Sequence, residues 1–163
     1  NNTYGKTFIL PEPIISEEIP LLPGLDGRKM SKSYNNFIKL FSTEKELQKS
    51  INQIVTDSLL PGERKETKDS ILFQYFNAFI DNNKLEDIKN LFEEGAGWGD
   101  LKKMLYEIIN KELSPLREKY EDLMKNPNLV EEILMDGEKK AIIKAEKKIK
   151  EIREKVGIKP LNG

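Results

Sequence analysis

The 163-residue sequence contains neither cysteine nor histidine. Without cysteine the chain cannot form disulfides, thiolate metal sites or thiol nucleophiles. Without histidine it lacks the usual general base near neutral pH and the commonest metal ligand in proteins. The two absences exclude catalytic triads that use histidine and most zinc sites. We therefore expect no metal bound by the protein's own side chains.

Long apolar runs are also missing. No run approaches the roughly 18 residues of a membrane span, and the first residues, NNTYGK, lack the basic and apolar regions of a signal peptide. We therefore expect a cytoplasmic protein with no membrane partner. The sequence starts without methionine and in the middle of a pattern, so we expect that an N-terminal part precedes it in the parent protein.

The sequence has almost no net charge as a whole, but one segment has a clear excess of positive charge. The 27 Lys and Arg residues and the 28 Asp and Glu residues give a net charge of −1, which offers no general reason to expect nucleic acid. Residues 138–159, however, contain nine basic and four acidic residues and carry a local charge of +5. This segment, which includes Lys159, is the best sequence support for an RNA contact, although such basic faces are usually only solvated.

The apolar pattern after residue 42 has a helical period and predicts a mainly α fold, a helical bundle. A capping-box pattern at Thr43 and Glu46 predicts the start of the first helix. Further helices are expected over about 69–80, 85–95 and 100–125, with Pro115 kinking or splitting the last of these. A final helix is expected from a cap at Asn128 to Val156, with a break at residues 136–137.

The first 36 residues lack this helical period. They contain several prolines and glycines, which indicate loops. The β-prone residues 7–10 predict a short edge strand of a sheet that lies mostly outside the sequence. We therefore divide the chain into residues 1–36, a remnant of a preceding catalytic domain, and residues 37–163, an α-helical domain.

The residues that carry chemistry lie between these two parts, in the sequence LPGLDGRKMSKSYNN at residues 22–36. Two lysines three residues apart on a loop flanked by glycines can present ammonium groups to a polyphosphate. Serine hydroxyls and loop N–H groups add further donors. Glycines allow such a loop to move on closing over a ligand. The alternative is a basic surface turn or a phosphorylation site.

The five residues Lys29, Met30, Ser31, Lys32 and Ser33 form the KMSKS signature, whose chance occurrence is on the order of one per million positions. The sequence therefore resembles class I aminoacyl-tRNA synthetases. The flanking residues, and the later segments GAGWGDLKK at 95–103 and LSPLRE at 113–118, resemble the tryptophanyl branch of the class. Only the KMSKS loop is sharply diagnostic.

The resemblance implies a Rossmann-like catalytic domain before a helical, anticodon-side domain. It implies ATP with Mg²⁺, tryptophan and tRNA(Trp) as substrates and partners, and a homodimer. Lys29 and Lys32 would be catalytic, with Lys32 acting on the leaving pyrophosphate. Ser31 and Ser33 would hold phosphate or the loop, and the backbone of Met30 would lie near adenine.

The resemblance has one clear gap and two alternatives. The HIGH-type motif of the class requires histidine, which the sequence lacks, and the family's tryptophan pocket belongs to the expected N-terminal part. We therefore expect the isolated chain to be inactive. The alternatives are a tyrosyl-tRNA synthetase, which shares the architecture, and a helical RNA-binding or interaction module without enzymatic activity.

Overall fold

A computed structural model describes residues 1–15 and 21–158, and within them the fold is α-helical, as the sequence predicts. Residues 16–20 and 159–163 lie outside the described residues, and the latter include Lys159 of the basic segment 138–159. The elements are a 3₁₀ turn, η1 (Lys32–Tyr34), and five α-helices: α1 (Glu44–Asn52), α2 (Ile71–Phe79), α3 (Asn82–Glu93), α4 (Trp98–Lys125) and α5 (Pro127–Val156).

The first three α-helices begin at side-chain caps, which occupy helix N–H groups that would otherwise lack partners. The predicted capping box is confirmed at α1: Thr43 N–H donates to Glu46 Oε2 over 2.8 Å, and Glu46 N–H donates to Thr43 Oγ1 over 3.3 Å. The side chains of Ser70 and Asp81 cap α2 and α3. Short polar residues therefore determine where these helices begin.

The two long helices are more continuous than the sequence predicts. Pro115 lies inside α4 without splitting it, because packing holds the helix on both sides: Leu113 and Arg117 are buried. Likewise Gly137 does not break α5, since a helical glycine costs only about 1 kcal/mol relative to alanine and good helix formers surround it. The predicted cap at Asn128 was also wrong, because Pro127 already occupies the first turn of α5.

The edge strand predicted at residues 7–10 is not formed, and the described residues contain no sheet. The side chain of Asn1 pairs with this segment instead. Its Oδ1 accepts from the N–H groups of Thr7 and Phe8, each over 2.9 Å, and its Nδ2 donates to the carbonyl of Phe8. A strand requires a neighbouring backbone as partner. Here a side chain satisfies those groups.

The chain separates into two compact units, residues 15–121 and residues 1–14 with 122–163. The core of the first unit joins α1, α2, α3 and α4, and Tyr75 and Phe76 of α2 are buried in it. Its buried apolar residues are Leu25, Leu47, Ile51, Ile54, Leu72, Tyr75, Phe76, Ile88, Phe92, Leu101, Leu105, Ile109 and Leu113. Burial of apolar area on this scale is the main driving force for folding of the unit.

The second unit contains α5 and the first residues of the chain. Lys148 donates to the carbonyl of Thr7, and Lys155 donates to the carbonyl of Lys6 over 2.9 Å. No side chain of α5 is buried. In the part of the chain that the structure describes, no helix is both long and apolar enough to cross a membrane.

Candidate functional site

The KMSKS residues follow a tight turn whose backbone is closed by hydrogen bonds. Pro23 and Lys29 form an antiparallel bridge. Between them, Gly24 N–H donates to the carbonyl of Arg28 over 2.7 Å, and Gly27 N–H donates to the carbonyl of Gly24 over 2.9 Å. Gly27 has a φ of 83°, a backbone conformation that residues other than glycine rarely adopt. The turn therefore fixes the position of the Lys29 backbone, from which the side chain extends.

The base of this turn is anchored to the helical core. The buried phenol of Tyr75 donates to the carbonyl of Pro23 over 2.7 Å, and Val55 N–H donates to the carbonyl of Leu25 over 2.9 Å. Leu25 itself is a core residue, 6% exposed. The loop is therefore attached to α2 and to the segment after α1.

Asn36 connects the two ends of the loop. Its Nδ2 donates to Asp26 Oδ1 over 2.7 Å and to the carbonyl of Lys29 over 3.3 Å. Its Oδ1 accepts from Ser31 N–H over 2.8 Å, and its backbone carbonyl accepts from Leu25 N–H over 2.8 Å. Asn36 is 4% exposed, so water competes little for these bonds.

Asp26 is the acidic residue of the site. The hydrogen bond from Asn36, followed by those from Arg28, lowers the pKa of Asp26 to about 2, because these donors favour the ionised carboxylate. Arg28 forms an ion pair with Asp26 over 2.6 Å, and its guanidinium lies 4.4 Å from the ring centroid of Tyr34. The Asp26 carboxylate therefore accepts hydrogen bonds from donors of the loop itself. This supports a structural role in the turn rather than a catalytic role.

The five residues of the signature lie together on this loop but in different environments. Lys29, Lys32 and Ser33 are exposed, and Met30 and Ser31 are half-buried. Met30 packs against the hydrophobic core. Ser31 caps η1 by accepting from Ser33 N–H over 3.2 Å, and Lys32 begins η1. The two lysines thus extend from an anchored backbone and remain available to an anionic ligand.

Two neighbouring asparagines have different roles, which the sequence alone did not separate. Asn35 ends η1 in a left-handed conformation with a φ of 51°, which asparagine tolerates in turns. Asn36 instead makes the loop-closing bonds described above. The hydroxyl of Tyr75 reaches Pro23, 52 positions away, and no local signal in the sequence shows this contact.

A tryptophan between glycines, such as Trp98, can serve as a base-stacking platform or pack at the start of a helix, and the contacts of Trp98 support packing. It lies at the first position of α4, and its ring meets that of Phe92 edge to face with centroids 5.6 Å apart. Its Nε1 donates to Asp57 Oδ1 over 3.0 Å. Trp98 therefore closes one side of the core.

Comparisons with known proteins agree with the loop and with the helical fold. The model of the family "tRNA synthetases class I (W and Y)" matches residues 1–114. A tryptophan–tRNA ligase of Bordetella parapertussis is 46% identical over 160 residues, which are 97% of this chain and 36% of the relative. One of Neisseria meningitidis is 42% identical over 161 residues, covering 99% of this chain and 48% of the relative.

A solved structure has the same fold. The tryptophanyl-tRNA synthetase of Campylobacter jejuni, in a crystal complex with ADP and tryptophan, matches with a TM-score of 0.80 and 39% identity, covering 96% of this chain and 50% of that one. The chain thus spans half or less of the length of these relatives. From the matched family model, the relatives and the anchored KMSKS loop, we conclude that the chain belongs to the class I tRNA synthetases of the tryptophan and tyrosine group.

Proposed function

We propose that this chain is the KMSKS-bearing part of a tryptophan–tRNA ligase. Such an enzyme joins the tryptophan carboxylate to the α-phosphate of ATP, releasing pyrophosphate and forming tryptophanyl-adenylate. It then transfers the tryptophanyl group to tRNA(Trp) with release of AMP. Similarity to tryptophan–tRNA ligases over 97% and 99% of the chain supports tryptophan over tyrosine. The complex of the Campylobacter jejuni relative with ADP and tryptophan supports both small substrates.

The observation that carries the proposal is the combination of an anchored loop backbone with two exposed lysines. As the bond between the α- and β-phosphates breaks, negative charge accumulates on the leaving pyrophosphate. A cation already held in place stabilises that charge without further reorganisation. We assign this role to Lys32, and we assign Lys29 to the phosphates of bound ATP. Because both side chains are exposed, they can reach a ligand without prior unfolding of the loop.

The other three residues of the signature support the phosphate contacts. The Ser31 hydroxyl oxygen already accepts a bond from Ser33 N–H, but its own proton remains available for a phosphate oxygen. The exposed hydroxyl of Ser33 can donate in the same way. Met30 packs against the core, and we place its backbone near adenine. Mg²⁺ would accompany ATP, because phosphate oxygens are the hard ligands that this ion prefers.

Further properties of the whole enzyme belong to the same proposal. We infer a cytoplasmic homodimer, in which residues 1–36 complete a Rossmann-like catalytic domain and residues 37–163 form the helical domain on the anticodon side. The HIGH-type motif and the tryptophan pocket would lie in the part of the relatives' length that this chain does not span. For that reason the isolated chain should be unable to activate tryptophan.

ATP–pyrophosphate exchange tests the proposal. The protein carrying this chain at the full length of its relatives should exchange pyrophosphate into ATP with tryptophan at least about 100-fold faster than with tyrosine, since a site built to bind one side chain discriminates by such factors. The isolated 163-residue chain should show no exchange. Preference for tyrosine would favour the tyrosyl alternative. Binding of tRNA without exchange by the full-length protein would favour an RNA-binding module and overturn the enzymatic proposal.

A further inference from the structure

Asn36 makes more contacts than a turn residue needs. Its side chain makes three hydrogen bonds, to Asp26, to the carbonyl of Lys29 and from the N–H of Ser31. The orientation of the amide follows from its partners: a carboxylate and a carbonyl can only accept, whereas a backbone N–H can only donate. A rotation of the amide by 180° would break all three bonds. Asn36 therefore has one orientation in the folded loop.

The position of these bonds connects Asn36 with the two lysines. The carbonyl of Lys29 and the N–H of Ser31 lie on either side of Met30. Asn36 therefore holds the backbone before and after Met30, in the segment that connects the two lysines. Lys32 directly follows the held Ser31. The direction in which each lysine leaves the backbone depends on the local dihedral angles, and Asn36 restricts these angles.

Burial and charge strengthen this contact. Asn36 is 4% exposed, and Gly24 is packed so closely against it that a β-carbon at Gly24 would overlap the Asn36 amide. The hydrogen bond from Asn36 to Asp26 is the largest cause of the lowered pKa of Asp26. The carboxylate therefore stays charged and remains a strong acceptor throughout the pH range in which enzymes are assayed.

We propose that Asn36 is a positioning residue for amino acid activation, which holds the KMSKS backbone so that Lys29 and Lys32 meet the phosphates of ATP. The inference rests on the function proposed above. Asn36 does not contact substrate in this role. It acts through the lysines, because misplacement of a reacting or stabilising group by about 1 Å can cost about 100-fold in rate.

The first test is Asn36→Ala in the full-length protein, assayed by ATP–pyrophosphate exchange. We expect the rate per titrated active site to fall by about 10- to 100-fold, with the affinity for tryptophan changed less than about twofold, since Asn36 acts only on the phosphate end. Asn36→Asp keeps the size and the acceptor for Ser31 but cannot donate to Asp26. It should be as impaired as the alanine variant. Near wild-type exchange in Asn36→Asp would show that Asn36 only fills space and would overturn the inference.

A double-mutant cycle distinguishes positioning from general stabilisation. If Asn36 acts through the lysines, Asn36→Ala should cost much less in a Lys32→Ala or Lys29→Ala background than in the wild type, because coupled residues are not additive. The same fold loss in all three backgrounds would contradict the proposal. Asp81→Ala is the matched control. It removes the cap of α3 and lowers the melting temperature without touching the loop, so its rate per active site should stay within about twofold of wild type.

Gly24→Ala provides an independent perturbation that leaves the chemistry of Asn36 intact. The new β-carbon would overlap the side-chain amide of Asn36 and lie 2.8 Å from its backbone carbonyl oxygen. It should displace the side chain and so reproduce the kinetic defect of Asn36→Ala. Wild-type exchange in this variant would count against the proposal. If the wild-type protein itself shows no tryptophan-dependent exchange, the proposed function fails. If it is active and Asn36→Ala is unimpaired, only the present inference fails.

Discussion

The Nζ atom of Lys65 donates a hydrogen bond to the carbonyl oxygen of Gly95 over 3.4 Å, although the two residues are 30 positions apart. Nζ also donates to the carbonyls of Leu60 and Glu63, over 3.1 and 3.0 Å. Lys65 is only 1% exposed. A buried ammonium that donates to three carbonyls fastens the loop before α2 to the turn after α3.

Replacing Lys65 with methionine keeps much of the volume of the side chain but removes its three hydrogen bonds. The carbonyls of Gly95 and Leu60 keep the N–H groups of Gly62 and Glu63 as donors, so the main loss is that of the bonds made by the ammonium. A hydrogen bond to a charged group contributes about 1.5–3 kcal/mol. We therefore expect Lys65→Met to lower the free energy of unfolding by at least about 1 kcal/mol, measured by urea denaturation. Lys68→Met, at an exposed position, is the control and should be near neutral. Equal stability of the two variants would contradict this role.

Tyr75 makes the anchoring of the loop depend on pH. Burial, followed by the nearby charge of Asp26, raises the pKa of Tyr75 to about 12 from its usual 10.0. A raised pKa means that the folded state favours the protonated phenol. This contribution to stability is complete below pH 10 and is lost as the pH rises towards 12.

We expect Tyr75→Phe to weaken the pH dependence of unfolding between about pH 10 and 12, because the titrating group is gone. At pH 7 the variant should lose about 1 kcal/mol, the usual value of a hydrogen bond, since the phenol donates to Pro23. Urea denaturation at pH 7 and pH 11 measures both effects. An unchanged slope between the two pH values would exclude Tyr75 as the titrating group.

Arg117 holds the segment that follows the KMSKS loop. Its Nε donates to the carbonyl of Ser42 over 2.6 Å, and its Nη2 donates to Asn110 Oδ1 over 3.0 Å. Lysine cannot reproduce this planar set of donors. We therefore expect Arg117→Lys to destabilise the chain by about 1–3 kcal/mol, whereas Lys119→Arg, at an exposed position of the same helix, should be neutral. Thermal unfolding of both variants tests this expectation.

Local signals in the sequence predicted the fold well where the cause is local. The Thr43 capping box and the helical spacing of apolar residues act over one to three turns, and both correspond to observed structure. The predicted break at Gly137 and the split considered at Pro115 are both absent, because the surroundings override a local preference. Pro115 and Gly137 both favour a break, yet their helices continue, because buried neighbours or strong helix formers offset the local cost.

The candidate site also combines features that the sequence shows locally with features that only the fold shows. The KMSKS letters identify Lys29 and Lys32 without any structure. The residues that anchor their loop cannot be found in this way, because the bond of Tyr75 to Pro23 and that of Val55 to Leu25 join positions 52 and 30 apart. Asn36 follows the KMSKS residues closely in the sequence, but only the folded loop separates its role from that of Asn35. The sequence thus indicates which groups we propose to face the ligand, and the fold reveals what holds them.

The role of Lys32 can be measured directly in the full-length protein. If its ammonium stabilises the leaving pyrophosphate, Lys32→Ala should slow ATP–pyrophosphate exchange by about 10²- to 10³-fold, the usual cost of losing one preorganised donor. Tryptophan affinity should change little, because Lys32 acts at the phosphate end. Lys32→Arg should recover only part of the rate, since a planar guanidinium differs from a compact ammonium.

Lys29→Ala provides the comparison that separates the roles of the two lysines. A contact made equally in the ground state and the transition state raises the Michaelis constant and leaves turnover unchanged. We therefore expect Lys29→Ala to act mainly on the Michaelis constant for ATP, and Lys32→Ala mainly on turnover. Steady-state exchange kinetics of the wild type and the three variants, with tryptophan affinity measured separately, test this division. If Lys32→Ala kept exchange within about threefold of wild type, a barrier change of less than about 1 kcal/mol, Lys32 could not be the group that meets the leaving pyrophosphate, and the catalytic role would have to pass to Lys29 or to the part of the enzyme that this chain does not span.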